Sequence, residues 1–293
     1  MRTRTIGNDT VGRVEVGAVG LGLMTFDQTG TQPRQQLLDT VSAALDAGVT
    51  LFDTADAYGP GEEKGERAQG ENERLVASLL DELGVRDRVF LATKGGHVRT
   101  EGGGWATDSS RSHLLAAVDA SLERLGVERI DLWQHHRPDP ATPYEEVIGT
   151  LAEIRDSGKV RMIGLSNANE AQIRAAHAEL GDALVSVQNQ FSPKFRSSRP
   201  EIDVCAELGL AFLPWSPLGG LGDAKDLAAH HPAFARVADD RGVSPQQVAL
   251  AWELAQSPVV IPIPGAKRAS SVTDSAAAAA LDLTADELAL LDG

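Results

Sequence analysis

Residues 131–167 read DLWQHHRPDPATPYEEVIGTLAEIRDSGKVRMIGLSN, and the order of residue types within them decides the fold. The stretch opens on a short apolar run at 131–136. A helical pattern starts at Pro143 and stops before Gly158, and a second apolar run follows at 162–167. Proline in the first turn and glycine just past the last are helix start and stop signals. Both runs are continuous rather than alternating, the pattern of parallel strands covered on both faces. Strand, crossover helix and strand make a βαβ unit.

The unit repeats outward in both directions. Further apolar runs lie at 16–22 (VGAVGLG), 51–56 (LFDTAD), 89–94 (VFLATK), 184–189 (LVSVQN), 210–216 (LAFLPWS) and 259–264 (VVIPIP), eight in all. Helical patterns fall at 33–47, 71–83, 108–125, 169–180, 200–208, 244–256 and 270–280, with Asp108 read as the N-cap of the third. Eight βα units predict one α/β domain over residues 1–293, a closed parallel (β/α)8 TIM barrel. The turn-rich, β-branched opening predicts a short N-terminal hairpin across the barrel bottom, and residues 284–292 predict a short C-terminal helix. The alanines at 276–280 read as a tightly packed helix face.

Composition excludes other classes. With 42% hydrophobic and 24% charged residues, the 293-residue chain is neither disordered nor of low complexity. Lys+Arg 27 against Asp+Glu 42 gives a net charge of −15, which argues against a nucleic-acid partner. No apolar run reaches the roughly 18 residues that span a bilayer. The opening residues lack the apolar core of a signal peptide, so the chain reads as cytoplasmic, with no membrane partner. The single Cys205 has no internal disulfide partner and reads as a buried structural thiol. The seven histidines form neither HxH nor HExxH, so the sequence gives no metal site.

Barrel chemistry sits where the strands end. Here those ends carry Asp53, Asp56, Lys94, His135, His136, Ser166, Asn167, Gln188, Asn189, Trp215 and Ser216, and Tyr58 follows the second strand. Singly, each has a plain structural reading: a strand-end Asp caps the next helix, a Lys reaches solvent, a loop Tyr packs. Their coincidence on one rim favours chemistry. A free phenol has a pKa of about 10. An ammonium about 4 Å away, at a dielectric near 20, stabilises the phenolate by roughly 4 kcal/mol, or about three pKa units, and less once an aspartate shares the lysine. This predicts a lowered Tyr58 pKa and a proton donor for a developing alkoxide. Beside a hydride source, such a site reduces a carbonyl.

LFDTADAYG, LATKGG and DLWQHHRPDP resemble the signature segments of the aldo-keto reductase superfamily, and the likeness covers nearly the whole chain. The resemblance implies a catalytic tetrad of Asp53, Tyr58, Lys94 and His136. His136 rather than His135 precedes the R-P-D stretch, and neighbouring strand residues face opposite ways. The resemblance also implies NADP(H), with NAD(H) open, bound without a GxGxxG motif. Gly22, Leu23 and Met24 then lie by the nicotinamide end. Ser166, Asn167 and Gln188 hold its carboxamide beside Asp53. Trp215 stacks on its ring, and Ser216, Pro217, Leu218 and Gly220 line the pyrophosphate. IPIPGAKRASSVTDS resembles the family segment for the adenosine 2′-phosphate, which assigns Gly265, Lys267, Arg268, Ser271 and Asp274. Ser275 stands where the common pattern has Asn.

The expected activity is NADPH-dependent reduction of small or medium aldehydes and ketones. A second reading, a cofactor-binding sensor or auxiliary subunit with little turnover, stays open. The partner expected is a small-molecule carbonyl substrate. The resemblance implies a monomer, with assemblies known among relatives. Loops 95–107 (with Trp105), 190–199 and 219–231 are read as shaping the substrate pocket, and 60–74 as a solvated loop and helix start.

Overall fold

The computed structural model describes residues 1–26, 30–59, 69–100, 104–220 and 222–293. The bulk of the expected solvated segment at 60–74, and the tip of the 95–107 loop, lie outside the described residues.

Strands β1 (Thr3–Ile6) and β2 (Val14–Gly17) form an antiparallel hairpin. Barrel strands β3 (Leu21–Gly22), β4 (Leu51–Asp53) and β5 (Phe90–Gly95) follow. A second hairpin, β6 (His97–Arg99) with β7 (Trp105–Thr107), rises from the end of β5. Then come β8 (Ile130–His135), β9 (Val160–Ser166), β10 (Leu184–Gln188) and β11 (Ala211–Phe212). The seven barrel strands are parallel neighbours in chain order, β3-β4-β5-β8-β9-β10-β11.

Residues 259–265 close the ring between β11 and β3 as the eighth position of a (β/α)8 barrel. Ile261 N donates to Phe212 O at 2.9 Å and Ile263 N to Pro214 O at 3.2 Å. On the other side Gly20 N donates to Pro262 O at 2.9 Å and Gly22 N to Pro264 O at 3.0 Å. The alternating IPIP explains the outcome. Both prolines face β3, where they accept but cannot donate, so pairing there reduces to single bridges instead of a ladder.

Helices α1 (Arg34–Asp46), α2 (Glu71–Leu83), α3 (Arg111–Leu125), α4 (Tyr144–Asp156), α5 (Glu170–Leu180) and α6 (Arg199–Leu208) cross between strands. After β11 come α7 (Leu227–His230), α8 (Pro232–Arg241) and α9 (Pro245–Gln256); α10 (Ala269–Ala277) and α11 (Ala285–Asp292) end the chain. Five expectations need correction. The run 16–22 is divided, Val16 and Gly17 pairing in the hairpin and only Leu21–Gly22 in the barrel. Asp108 does not cap α3; Ser110 does, accepting from His113 N, while Asp108 accepts from Ser110 N at 2.9 Å. Loop 95–107 is largely a β-hairpin, and α7 and α8 occupy a stretch that carried no expected helix. The alanine run is divided as well, α10 ending at Ala277 and a 3₁₀ turn taking Ala278–Ala280.

Side-chain alternation produces two cores. Phe52, Leu91, Trp133, Ile163 and Val187 face outward against the helices. Leu51, Phe90, Ala92, Leu132, Met162 and Ile261 face inward, with Ile6 and Val16 of the hairpin packed among them. Continuing each inward row upward changes its chemistry: Leu51 leads to Asp53, Ala92 to Lys94, Leu132 to Gln134 and then His136. The fold thereby sets a polar floor on an apolar plug. A Cβ on Gly22 would lie 2.8 Å from the Ile263 carbonyl oxygen. Gly22→Ala is therefore expected to lower stability by about 1–3 kcal/mol, read as a lower urea midpoint; an unchanged midpoint would show that the closing segment does not press on β3.

Candidate active site

Lys94 is fully buried, and its ammonium spends its three donors inside the barrel. Nζ donates to Asp53 Oδ2 at 2.7 Å, to Thr54 O at 2.8 Å and to the Tyr58 hydroxyl at 3.4 Å. Burial pulls the ammonium pKa down, but Asp53 and Tyr58 outweigh it and hold it above the usual lysine value. The other Asp53 oxygen accepts from Gln134 Nε2 at 3.2 Å and Gln188 Nε2 at 2.8 Å. A buried ion pair is tolerable only when its remaining polar sites are satisfied, and here they are. Gln134 was not among the expected site residues. Its signal was an amide two residues beyond Leu132 on the inward row of its strand. Gly164 makes room for it, since a Cβ there would meet Gln134 Cγ at 2.8 Å.

The expected lowering of the Tyr58 pKa is corrected. Burial raises it, and Asp53 adds to the rise; Lys94 opposes without prevailing. The reason is geometric: the ammonium lies closer to the aspartate than to the phenol, so Tyr58 faces a nearly neutral pair. Tyr58 is thus a phenol at neutral pH, the acid form. His136 stands edge-on to it, ring centroids 5.6 Å apart at 83°. Burial, with Lys94 and His97 adding, pushes the His136 pKa well below the usual value, so the imidazole is neutral. Its Nδ1 is buried without a hydrogen-bond partner among the described residues. His135 turns the other way, its Nε2 2.8 Å from Ser109 Oγ.

Above this floor opens a cavity of about 400 Å3. Asp53, Tyr58 and His136 reach it. Of the residues assigned to the cofactor, Gly22, Met24, Ser166, Asn167, Gln188, Trp215, Ser216, Pro217, Leu218, Gly220, Gly265 and Lys267 line it. Leu23 is in the core, and Lys94 is buried within the floor without lining the cavity. Arg268, Ser271 and Asp274 stand outside the cavity. The Asp274 carboxylate accepts from Ser244 Oγ at 2.7 Å and Gln247 Nε2 at 2.6 Å, tying α10 to the start of α9. The strand-end Asn189 is likewise occupied, donating to Ala168 O at 2.8 Å.

Two backbone outliers mark the cavity wall. Asn167 (φ 58°) and Ser216 (φ 51°) are the non-glycine residues with positive φ among those described. Such a conformation costs roughly 1–2 kcal/mol and tends to persist where function holds it. At Asn167 the side chain secures it, Nδ2 donating to His136 O at 3.0 Å. Lys194 Nζ meets Asp223 Oδ2 at 2.8 Å and joins the 190–199 and 219–231 loops. The β6–β7 hairpin forms another wall. The His97 ring lies 4.6 Å from that of Trp105 and 4.8 Å from that of His136, and the Arg99 guanidinium sits 3.5 Å over Trp105. Trp105 is 42% exposed, not a buried aromatic.

The Aldo/keto reductase family model matches residues 18–293, and the chain belongs to that family of oxidoreductases. It is 38% identical to the 6-dehydroglucose reductase of Novosphingobium aromaticivorans, across 90% of this chain and 87% of that one. To an uncharacterized oxidoreductase of Schizosaccharomyces pombe it is 33% identical, across 98% and 89%. An aldo-keto reductase of Klebsiella pneumoniae, solved in complex with NADPH, superposes with a TM-score of 0.81 at 26% identity, covering 100% of this chain and 95% of that one. Another structure from Klebsiella pneumoniae, with NADP and acetate, gives 0.78 at 27% identity, covering 95% and 91%.

Burial pulls the His135 pKa from 6.5 to about 4. Between those values the unfolded chain binds the proton and the fold does not, so stability falls as pH drops through that window and levels off below it. His135→Gln should shrink the loss of unfolding free energy between about pH 7 and about pH 4 by roughly 3 kcal/mol, read from urea melts at both. Parallel losses in variant and parent would show that this imidazole is not held neutral.

Proposed function

We propose that the protein reduces aldehydes and ketones to alcohols with NADPH, Tyr58 giving the proton. The observation that carries this is the buried ammonium of Lys94, which touches the Asp53 carboxylate and the Tyr58 phenol at once on the cavity floor. The solved relatives complexed with NADP and NADPH support the cofactor. The cavity fits it: the side chains of Ser166, Asn167 and Gln188 stand at the floor, Trp215 flanks them, and the Lys267 cation lines the same cavity at the segment after the eighth strand position. When bound, NADPH supplies the hydride that reduces the carbonyl carbon.

The chain does the rest. A carbonyl oxygen placed between Tyr58 and His136 accepts a hydrogen bond from the phenol. As negative charge grows on that oxygen, Tyr58 transfers its proton and the alcohol forms. The phenolate left behind faces the ammonium of Lys94, whose position Asp53 fixes through a bond that Gln134 and Gln188 in turn anchor. Neutral His136 carries one N–H, which orients the same oxygen without adding a second buried charge.

Tyr58→Phe is expected to lower kcat for aldehyde reduction by at least about 10²-fold, while NADPH still quenches tryptophan fluorescence with a similar dissociation constant. Near-parent turnover would remove Tyr58 from the chemistry. Negligible parent turnover on a broad carbonyl panel, with tight NADPH binding, would instead favour a sensor. Lys267→Ala should weaken NADPH by about tenfold, as loss of a charged hydrogen bond does, and leave NADH little changed. Equal effects on both would place Lys267 away from the 2′-phosphate.

A further inference from the structure

We propose that Arg137 selects carbonyl substrates bearing a carboxylate, holding that anion at the cavity mouth while the carbonyl sits at Tyr58 and His136. The proposal rests on the reductase reading and adds to it a substrate class and the residue that recognises it.

Arg137 directly follows His136 at the end of β8 and lines the same cavity. It is exposed, and among the described residues its guanidinium has neither an ion pair nor a hydrogen bond. The surroundings explain why. The carboxylate nearest in sequence, Asp139, is already taken by four donors: Thr107 Oγ1 at 3.1 Å, Ser109 N at 3.1 Å, Ala141 N at 3.0 Å and Thr142 Oγ1 at 3.3 Å. Asp53, the carboxylate among the residues lining the cavity, is neutralised by Lys94 and held by Gln134 and Gln188. The other cation on the hairpin wall, Arg99, is turned to Trp105 and to the carbonyls of Ala57 and Gly59. In a chain of net charge −15, the catalytic end of the cavity therefore carries a positive charge with no carboxylate paired to it among the described residues.

Ring geometry separates this charge from the cofactor's. Arg137 follows the fourth barrel strand and Lys267 the eighth position, on opposite sides of an eight-membered ring. An anion at Arg137 is thus a different group from a phosphate at Lys267. A guanidinium fork matches a carboxylate by two parallel hydrogen bonds. His97 beside it is held down to about pKa 4 by burial, Arg137 and Arg99, so it contributes no second cation of the kind a doubly charged phosphate favours.

The test uses para-carboxybenzaldehyde and its neutral isostere para-formylbenzamide with NADPH, comparing kcat/KM ratios in the parent, Arg137→Gln and Arg137→Lys. The parent should favour the carboxylate. Arg137→Gln should lower the ratio by about tenfold or more, the effect of losing a charge-assisted hydrogen bond. Arg137→Lys should restore part of it, and added salt should lower the parent ratio. A ratio unmoved by Arg137→Gln in a protein that turns over both aldehydes overturns this proposal alone. So does an equal loss on both substrates with weakened NADPH binding, which would assign Arg137 to the cofactor. Should the parent reduce neither aldehyde, the reductase reading fails. Calorimetric binding of para-(hydroxymethyl)benzoate then decides Arg137 by itself: about tenfold weaker binding in Arg137→Gln supports it, and equal binding overturns it.

Discussion

A lysine with no exposed surface, locked to an aspartate inside a barrel, is the constraint on which the site depends. Removing an ammonium from water costs several kcal/mol, and only close geometry with full hydrogen bonding offsets that. Much of the polar layer follows from this need. Asp53 neutralises Lys94, Gln134 and Gln188 satisfy the aspartate's second oxygen, Thr54 supplies a carbonyl, and Gly164 stays small so that Gln134 has room. The phenol of Tyr58 takes the donor that remains. The same arrangement keeps every titrating group in one state at neutral pH: ammonium charged, phenol protonated, imidazole neutral.

Much of the fold was legible because parallel strands buried on both faces leave continuous apolar runs, and the prolines and glycines around them punctuate the helices. What escaped did so for physical reasons. VGAVGLG is uniformly apolar across the point where the chain leaves the hairpin for the barrel, so composition does not mark the change. The strands of the β6–β7 hairpin have three residues each, too few for a period to show. Helix α8 did carry signals, Pro232 at its start and Gly242 at its end, whereas the four residues of α7 did not.

At the site, residue types at strand ends marked a polar rim, the family resemblance singled out Asp53, Tyr58, Lys94 and His136 within it, and the coordinates bring those four together on one floor. The direction of the Tyr58 shift was not legible. It depends first on how completely the fold buries the phenol, then on 2.7 Å against 3.4 Å from one nitrogen, and spacing encodes neither. The left-handed backbones of Asn167 and Ser216 were equally hidden, since neither residue type demands them. Arg137 was visible as a letter in HHRPDP, but its lack of a partner among the described residues depends on how Asp139 spends its oxygens.

The proline pair at 262 and 264 gives the barrel a seam. Gly20 and Gly22 donate to the carbonyls of Pro262 and Pro264, and neither proline can return a bond. A single bridge, Gly22 with Gly265, joins the strands here, beside the place where Lys267 leaves the ring. Asp53 lies within the ladder of β4 and β5, and Lys94 within that of β5 and β8. One end of the cavity thus hangs on one backbone bridge, while the reacting groups stand on fully paired strands.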